Sequence, residues 1–129
     1  MKRINQEPFK RETFRILLTK EEVQVLLKVL FREMSLIKKD IKQGTYTQYL
    51  EYAYQLVKGL IKQYTIPKQK ERSMYVHHIE NLDLLLTFMD KYLYEVDCTD
   101  SYINLYERLC KIYKKRYKEL RLAYDQSLM

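Results

Sequence analysis

The chain has little glycine or proline, two of each in 129 residues. Tight turns draw on these residues, so a fold of many strands and hairpins is disfavoured and an all-α fold is expected. Thirteen tyrosines argue weakly the other way, because aromatics favour strands, but the helical periodicity below outweighs that preference. Cysteine is as scarce. Cys98 and Cys110 lack metal-type spacing, and two thiols in a chain long enough to build a core form no disulfide framework. Neither has an obvious base partner for thiol catalysis. Histidine occurs only as the adjacent pair His77 and His78, without the i,i+4 spacing of a helical zinc pair. The Glu-x-x-His motif of carboxylate-bridged metal bundles is missing, and glycine is too sparse for a phosphate loop. No metal and no cofactor are therefore expected. The opening MKRINQEPFKRE has no apolar segment like that of a signal peptide. No stretch approaches the ~20 apolar residues that span a membrane, so a cytoplasmic protein is expected.

What is present is helical periodicity. The most apolar stretch covers 75–96, where Tyr75, Ile79, Leu82, Leu86, Met89, Leu93 and Val96 recur at gaps of four and three. Three further stripes share the pattern. Val23, Leu27, Leu30, Met34, Ile37 and Ile41 mark a first helix, opened by a Thr19…Glu22 capping box and closed by Gly44. Tyr46, Leu50, Ala53, Val57, Leu60 and Tyr64 mark a second, capped by Thr45 or Thr47 and ended by Ile66-Pro67. Gly59 within it costs ~1 kcal/mol against alanine, which points to a close helix approach. Tyr102, Tyr106, Leu109, Tyr113, Tyr117, Leu120 and Tyr124 mark the last, capped by Thr99 or Asp100. Their aromatic rings are expected to pack in the core with the hydroxyls at its rim. These stripes predict an antiparallel up-down-up-down four-helix bundle over 19–129. An extended, partly mobile segment precedes it over 1–18. There Phe14, Ile16 and Leu18 alternate with period two, but no second strand stands nearby. The segment is expected to lie across the bundle rather than pair with a copy of itself or with a partner strand.

Net charge is +7. In an up-down-up-down bundle, Lys68, Lys70 and Arg72 of the linker gather at one pole with Lys111, Lys114, Lys115, Arg116, Lys118 and Arg121 of the last helix. Such a pole suits an acidic protein surface or phosphates. Basic residues near helix C-termini also complement the helix dipole without any ligand. Leu84 and Phe88 lie off the third stripe, and Val25 and Val29 lie off the first. They would form a docking site, a homodimer face or the seat of the Phe14–Leu18 alternation. The function expected is a non-catalytic helical module, a small regulator, inhibitor or accessory factor binding another macromolecule. A protein partner, one with an acidic surface, is favoured over nucleic acid.

One enzymatic pattern stands beside this reading. Arg72-Ser73-Met74-Tyr75-Val76-His77 has the R-x4-H spacing of the HEPN family, helical-bundle proteins that include metal-independent ribonucleases. The run on to Asp83 resembles the longer family pattern, although Ser73 replaces the polar residue, often Asn, that follows the Arg. The resemblance implies phosphate binding by Arg72 and proton transfer by His77. On a continuous helix the two would stand about 140° apart, so they would converge only with a bend.

Overall fold

The computed structural model describes residues 12–45, 47–64, 73–93 and 99–128. Strand β1 (Thr13–Leu17) leads into α1 (Lys20–Lys42) and α2 (Gln48–Tyr64). Strand β2 (Ser73–His77) leads into α3 (Ile79–Leu93) and α4 (Asp100–Ser127). The result is a four-helix bundle with an extended N-terminal segment, and the order strand–helix–helix occurs twice. α1 packs mainly on α2 and α3 mainly on α4, while α1 bridges the two pairs.

The local signals act as their chemistry dictates. Thr19 accepts the Glu22 amide while Glu22 accepts the Thr19 amide, a complete capping box. Gly44, at φ +89°, follows the last turn of α1. Its N–H donates to Ile41 and that of Thr45 to Asp40, both at 3.0 Å, which satisfies two carbonyls at the helix end. Thr47 and Thr99 cap α2 and α4 through their hydroxyls.

Three expectations are corrected. The extended segment does have a strand partner within the chain: β1 pairs antiparallel with β2, Arg15 opposite Tyr75 at the centre. Residues 73–77 therefore belong to a strand and not to the third helix. Ile16, Met74 and Val76 turn into the core and Phe14 packs against it, while Tyr75 and His77 face out, the period-two alternation of a half-buried strand. His78 separates strand from helix with a left-handed backbone, φ +69°. Gly59 marks no close helix approach either; a Cβ there would meet nothing within 4 Å.

The outer edge of β2 is closed by side chains. The Gln63 amide both donates to the Tyr75 carbonyl and accepts from its N–H, each at 2.8 Å. Asn81 donates to the His77 carbonyl. These bonds replace those of a neighbouring strand and blunt an edge that would otherwise recruit one. Gln63→Ala is expected to cost about 1 kcal/mol and to speed exchange of the Tyr75 amide by about fivefold. Unchanged exchange, read by hydrogen–deuterium NMR, would show that Gln63 does not hold the edge.

α3 is the central helix. Leu82, Leu84, Leu85, Leu86, Phe88, Met89 and Tyr92 are all buried, so it has a broad apolar face, while Glu80, Asp83, Thr87, Asp90 and Lys91 form one exposed polar side. Two carboxylates are buried with it. Glu33 accepts from the Tyr92 hydroxyl at 2.7 Å and from Lys91 at 3.0 Å. Glu22 accepts from Arg108 at 3.0 Å, and the same guanidinium group donates to the Leu17 carbonyl at 2.8 Å. A buried carboxylate persists only when paired and hydrogen-bonded. Arg108 thus ties the β1–α1 junction to α4.

Candidate functional site

The sequence-predicted residues separate into groups. Lys68, Lys70 and Arg72 lie outside the described residues. Lys111, Lys114, Lys115, Lys118 and Arg121 are exposed on α4. At 100° per residue they fall within an arc of about 120°, on the side of the helix away from the buried Leu105, Leu109 and Leu120. Arg116 does not join them. It is half-buried, donating to Glu12 at 2.6 Å and to Glu119 at 2.9 Å. These bonds, that to Glu12 first, raise its already high pKa. Its role is to fasten the residue before β1 to α4.

The apolar residues proposed as an interface are inside the molecule. Val29, Leu84 and Phe88 are buried, and Val25 is packed against the same cluster. Ile16 and Leu18 belong to that cluster too. The off-stripe residues therefore serve the core that seats β1 and form no open patch. The reason is a rotation of α1. Its buried line runs through Glu22, Leu26, Val29, Leu30, Glu33 and Ile37, and the two paired glutamates occupy positions that an apolar stripe excludes.

His77 sits at the end of β2, exposed, with Nδ1 2.9 Å from the Thr13 hydroxyl directly across the strand pair. The helix that would have carried both Arg72 and His77 does not extend through Ser73–His77. His77 thus has a cross-strand contact that accounts for its place.

The tyrosines of α4 divide along its length. Tyr102 is buried and donates to the Met89 carbonyl. Tyr106 donates to Asp90 at 3.0 Å. Burial and that bond raise its pKa. With the closeness of Asp83 to Tyr113, these pairs set α3 and α4 antiparallel. Tyr117 and Tyr124 are not core residues, at 48% and 51% exposed. α3 begins only at Ile79, so the last turns of α4 pass beyond its cover.

That overhang creates a cavity of about 450 Å³ between the start of α3 and the end of α4. Tyr113 and Tyr117 stack along its wall, ring centres 5.8 Å apart and planes 22° apart. Tyr124 lines it with Leu120 and Ile79. Its charged groups are Glu80, Asp83, Arg121 and Asp125. Burial first, and the Asp83 charge second, raise the pKa of Tyr113. Sequence reasoning missed this site because it placed all the α4 tyrosines in the core. A second cavity, also about 450 Å³, lies between α2 and β2 and is lined by Tyr52, Gly59, Gln63 and His77 among others.

Among the described residues, no group of three or more His, Cys, Asp or Glu side chains is placed to hold a metal ion. None of the described helices is long and apolar enough to cross a membrane. Comparison with protein-family models, curated proteins and solved structures finds no match to this chain.

Proposed function

We propose that the protein is a non-catalytic interaction module, a small regulator, inhibitor or accessory factor, that holds a partner protein through the exposed face of α4. The observation that carries this reading is the make-up of that face. Lys111, Lys114, Lys115, Lys118 and Arg121 stand exposed together with Tyr117, Leu122 and Tyr124. A face that only keeps a helix in solution needs charge alone. Exposed tyrosines beside an arginine are what protein interfaces concentrate at their hot spots. The lysines complement an acidic partner surface and speed its capture. Such a module acts by occluding or scaffolding what it binds.

A second reading, nonspecific binding of nucleic acid, draws on the same lysines and on tyrosine as a stacking platform. It is ranked lower because Glu80, Asp83 and Asp125 stand among those tyrosines and repel phosphates. Titration of a labelled oligonucleotide tests the order. Binding weaker than about 1 µM at near-physiological salt, falling steeply as salt rises, is the behaviour of any basic surface and is expected here. Tighter binding that persists at that salt would put nucleic acid first.

A further inference from the structure

We propose that the cavity between α3 and α4 takes a cationic side chain, the guanidinium or ammonium group of an arginine or lysine on the partner. This rests on the reading of the protein as a protein-binding module and assigns one pocket of its interface. The chain as a whole carries +7, yet the charged groups of this cavity are three carboxylates against one guanidinium. Among the described residues, no ion pair joins Arg121 to Glu80, Asp83 or Asp125, so the negative charge is not neutralised from within.

The wall beneath these carboxylates is aromatic. The faces of tyrosine rings attract cations, most effectively where the cation is partly withdrawn from water. Tyr113 and Tyr117 are stacked, so each turns one face to the other and keeps an outer face for a cation, and Tyr124 adds a third ring to the lining. The volume, about 450 Å³, lies within the range of about 300–1,000 Å³ typical of small-ligand sites.

Helix electrostatics sort the carboxylates further. Glu80 stands in the first turn of α3, where the dipole favours negative charge, so the helix alone accounts for it; Asp83 lies one turn further on. Asp125 stands near the opposite kind of end. It lies close to the C-terminus of α4, whose last turn contains no basic residue. A carboxylate there is unfavourable for the helix, and a cation docked in the cavity would offset it. Anions meet the reverse situation and have only Arg121 to bind.

The test uses small probes, so that it can fail separately from the search for a partner. N-acetyl-arginine methylamide is titrated into the full chain with its tyrosine rings ¹³C-labelled. The uncharged N-acetyl-norleucine methylamide and the anionic N-acetyl-glutamate methylamide serve as comparisons. Saturable shifts at Tyr113, Tyr117 and Tyr124 with the arginine probe alone are expected. Tyr117→Leu and Asp83→Asn, each checked for folding by circular dichroism, should each weaken binding by up to about fivefold, the first through one exposed cation–π contact and the second through one exposed ion pair. No saturable shift, equal binding of the norleucine or glutamate probe, or indifference to both substitutions would overturn the proposal. If the arginine probe binds but no partner protein exists, the interaction reading falls and the cation pocket stands.

Discussion

Phe88→Asp is expected to abolish the cooperative unfolding transition of this protein or to lower its midpoint sharply. The side chain is 4% exposed and lies on the broad buried face of α3. Removing the ring from such a site costs about 3–5 kcal/mol. The carboxylate that replaces it finds no charged partner inside the cluster, whose other members are apolar. It must be buried neutral, at a further penalty of about 1–3 kcal/mol. Together these come to about 4–8 kcal/mol, most or all of the stability of a domain at the lower end of the usual range of about 5–15 kcal/mol. Thermal melting followed by circular dichroism checks this. A variant that melts like the wild type would place Phe88 on an open surface and restore it as a docking residue. The prediction therefore separates two roles that sequence alone left level.

The reason they were level is instructive. Helix caps were legible, because a capping box or a left-handed glycine is local chemistry: Thr19 with Glu22, Gly44, Thr47 and Thr99 act as their positions demand. The buried line of α2, through Leu50, Ala53, Val57 and Leu60, was also legible, since no polar residue interrupts it. α1 was harder. Glu22 and Glu33 are buried because Arg108, Lys91 and Tyr92 reach them from helices far along the chain. No window of sequence contains those partners, so a stripe drawn from apolar residues alone was turned away from the true face.

β2 was hidden differently. Tyr75 and Ile79 have the spacing of a helix turn, and Met74 and Val76 have the spacing of a strand. Five residues are too few for either period to prevail. The consequence reached the candidate site. A helix running from 75 would have covered the last turns of α4, and the tyrosine stripe would have been core throughout. With 73–77 paired to β1, α3 is shorter, and Tyr117 and Tyr124 emerge beside the basic arc. The site is thus a product of strand pairing, which depends on contacts distant in sequence.

Reversing the charges of Lys114, Lys115 and Lys118 to glutamate is expected to abolish partner binding while leaving the fold intact. All three side chains are exposed on α4, and none takes part in the ion pairs described above. Surface substitutions away from packed or paired groups change stability by about 0.5 kcal/mol or less. Their effect on binding is far larger. Each reversal replaces an attraction to an acidic surface by a repulsion, and like-charge juxtaposition at an interface costs several kcal/mol. A loss of about 1,000-fold for the triple variant corresponds to ~4 kcal/mol. Arg116→Glu should behave in the opposite way, weakening the fold through its contact with Glu12 more than it weakens binding.

The most direct test is affinity capture of the tagged protein from its native cells, with and without nuclease, beside the Lys114→Glu, Lys115→Glu, Lys118→Glu variant. The account predicts a protein that stays bound after nuclease treatment and is lost from the variant. Material that disappears entirely with nuclease, or a partner that the variant retains, would contradict the claim that α4 holds a protein.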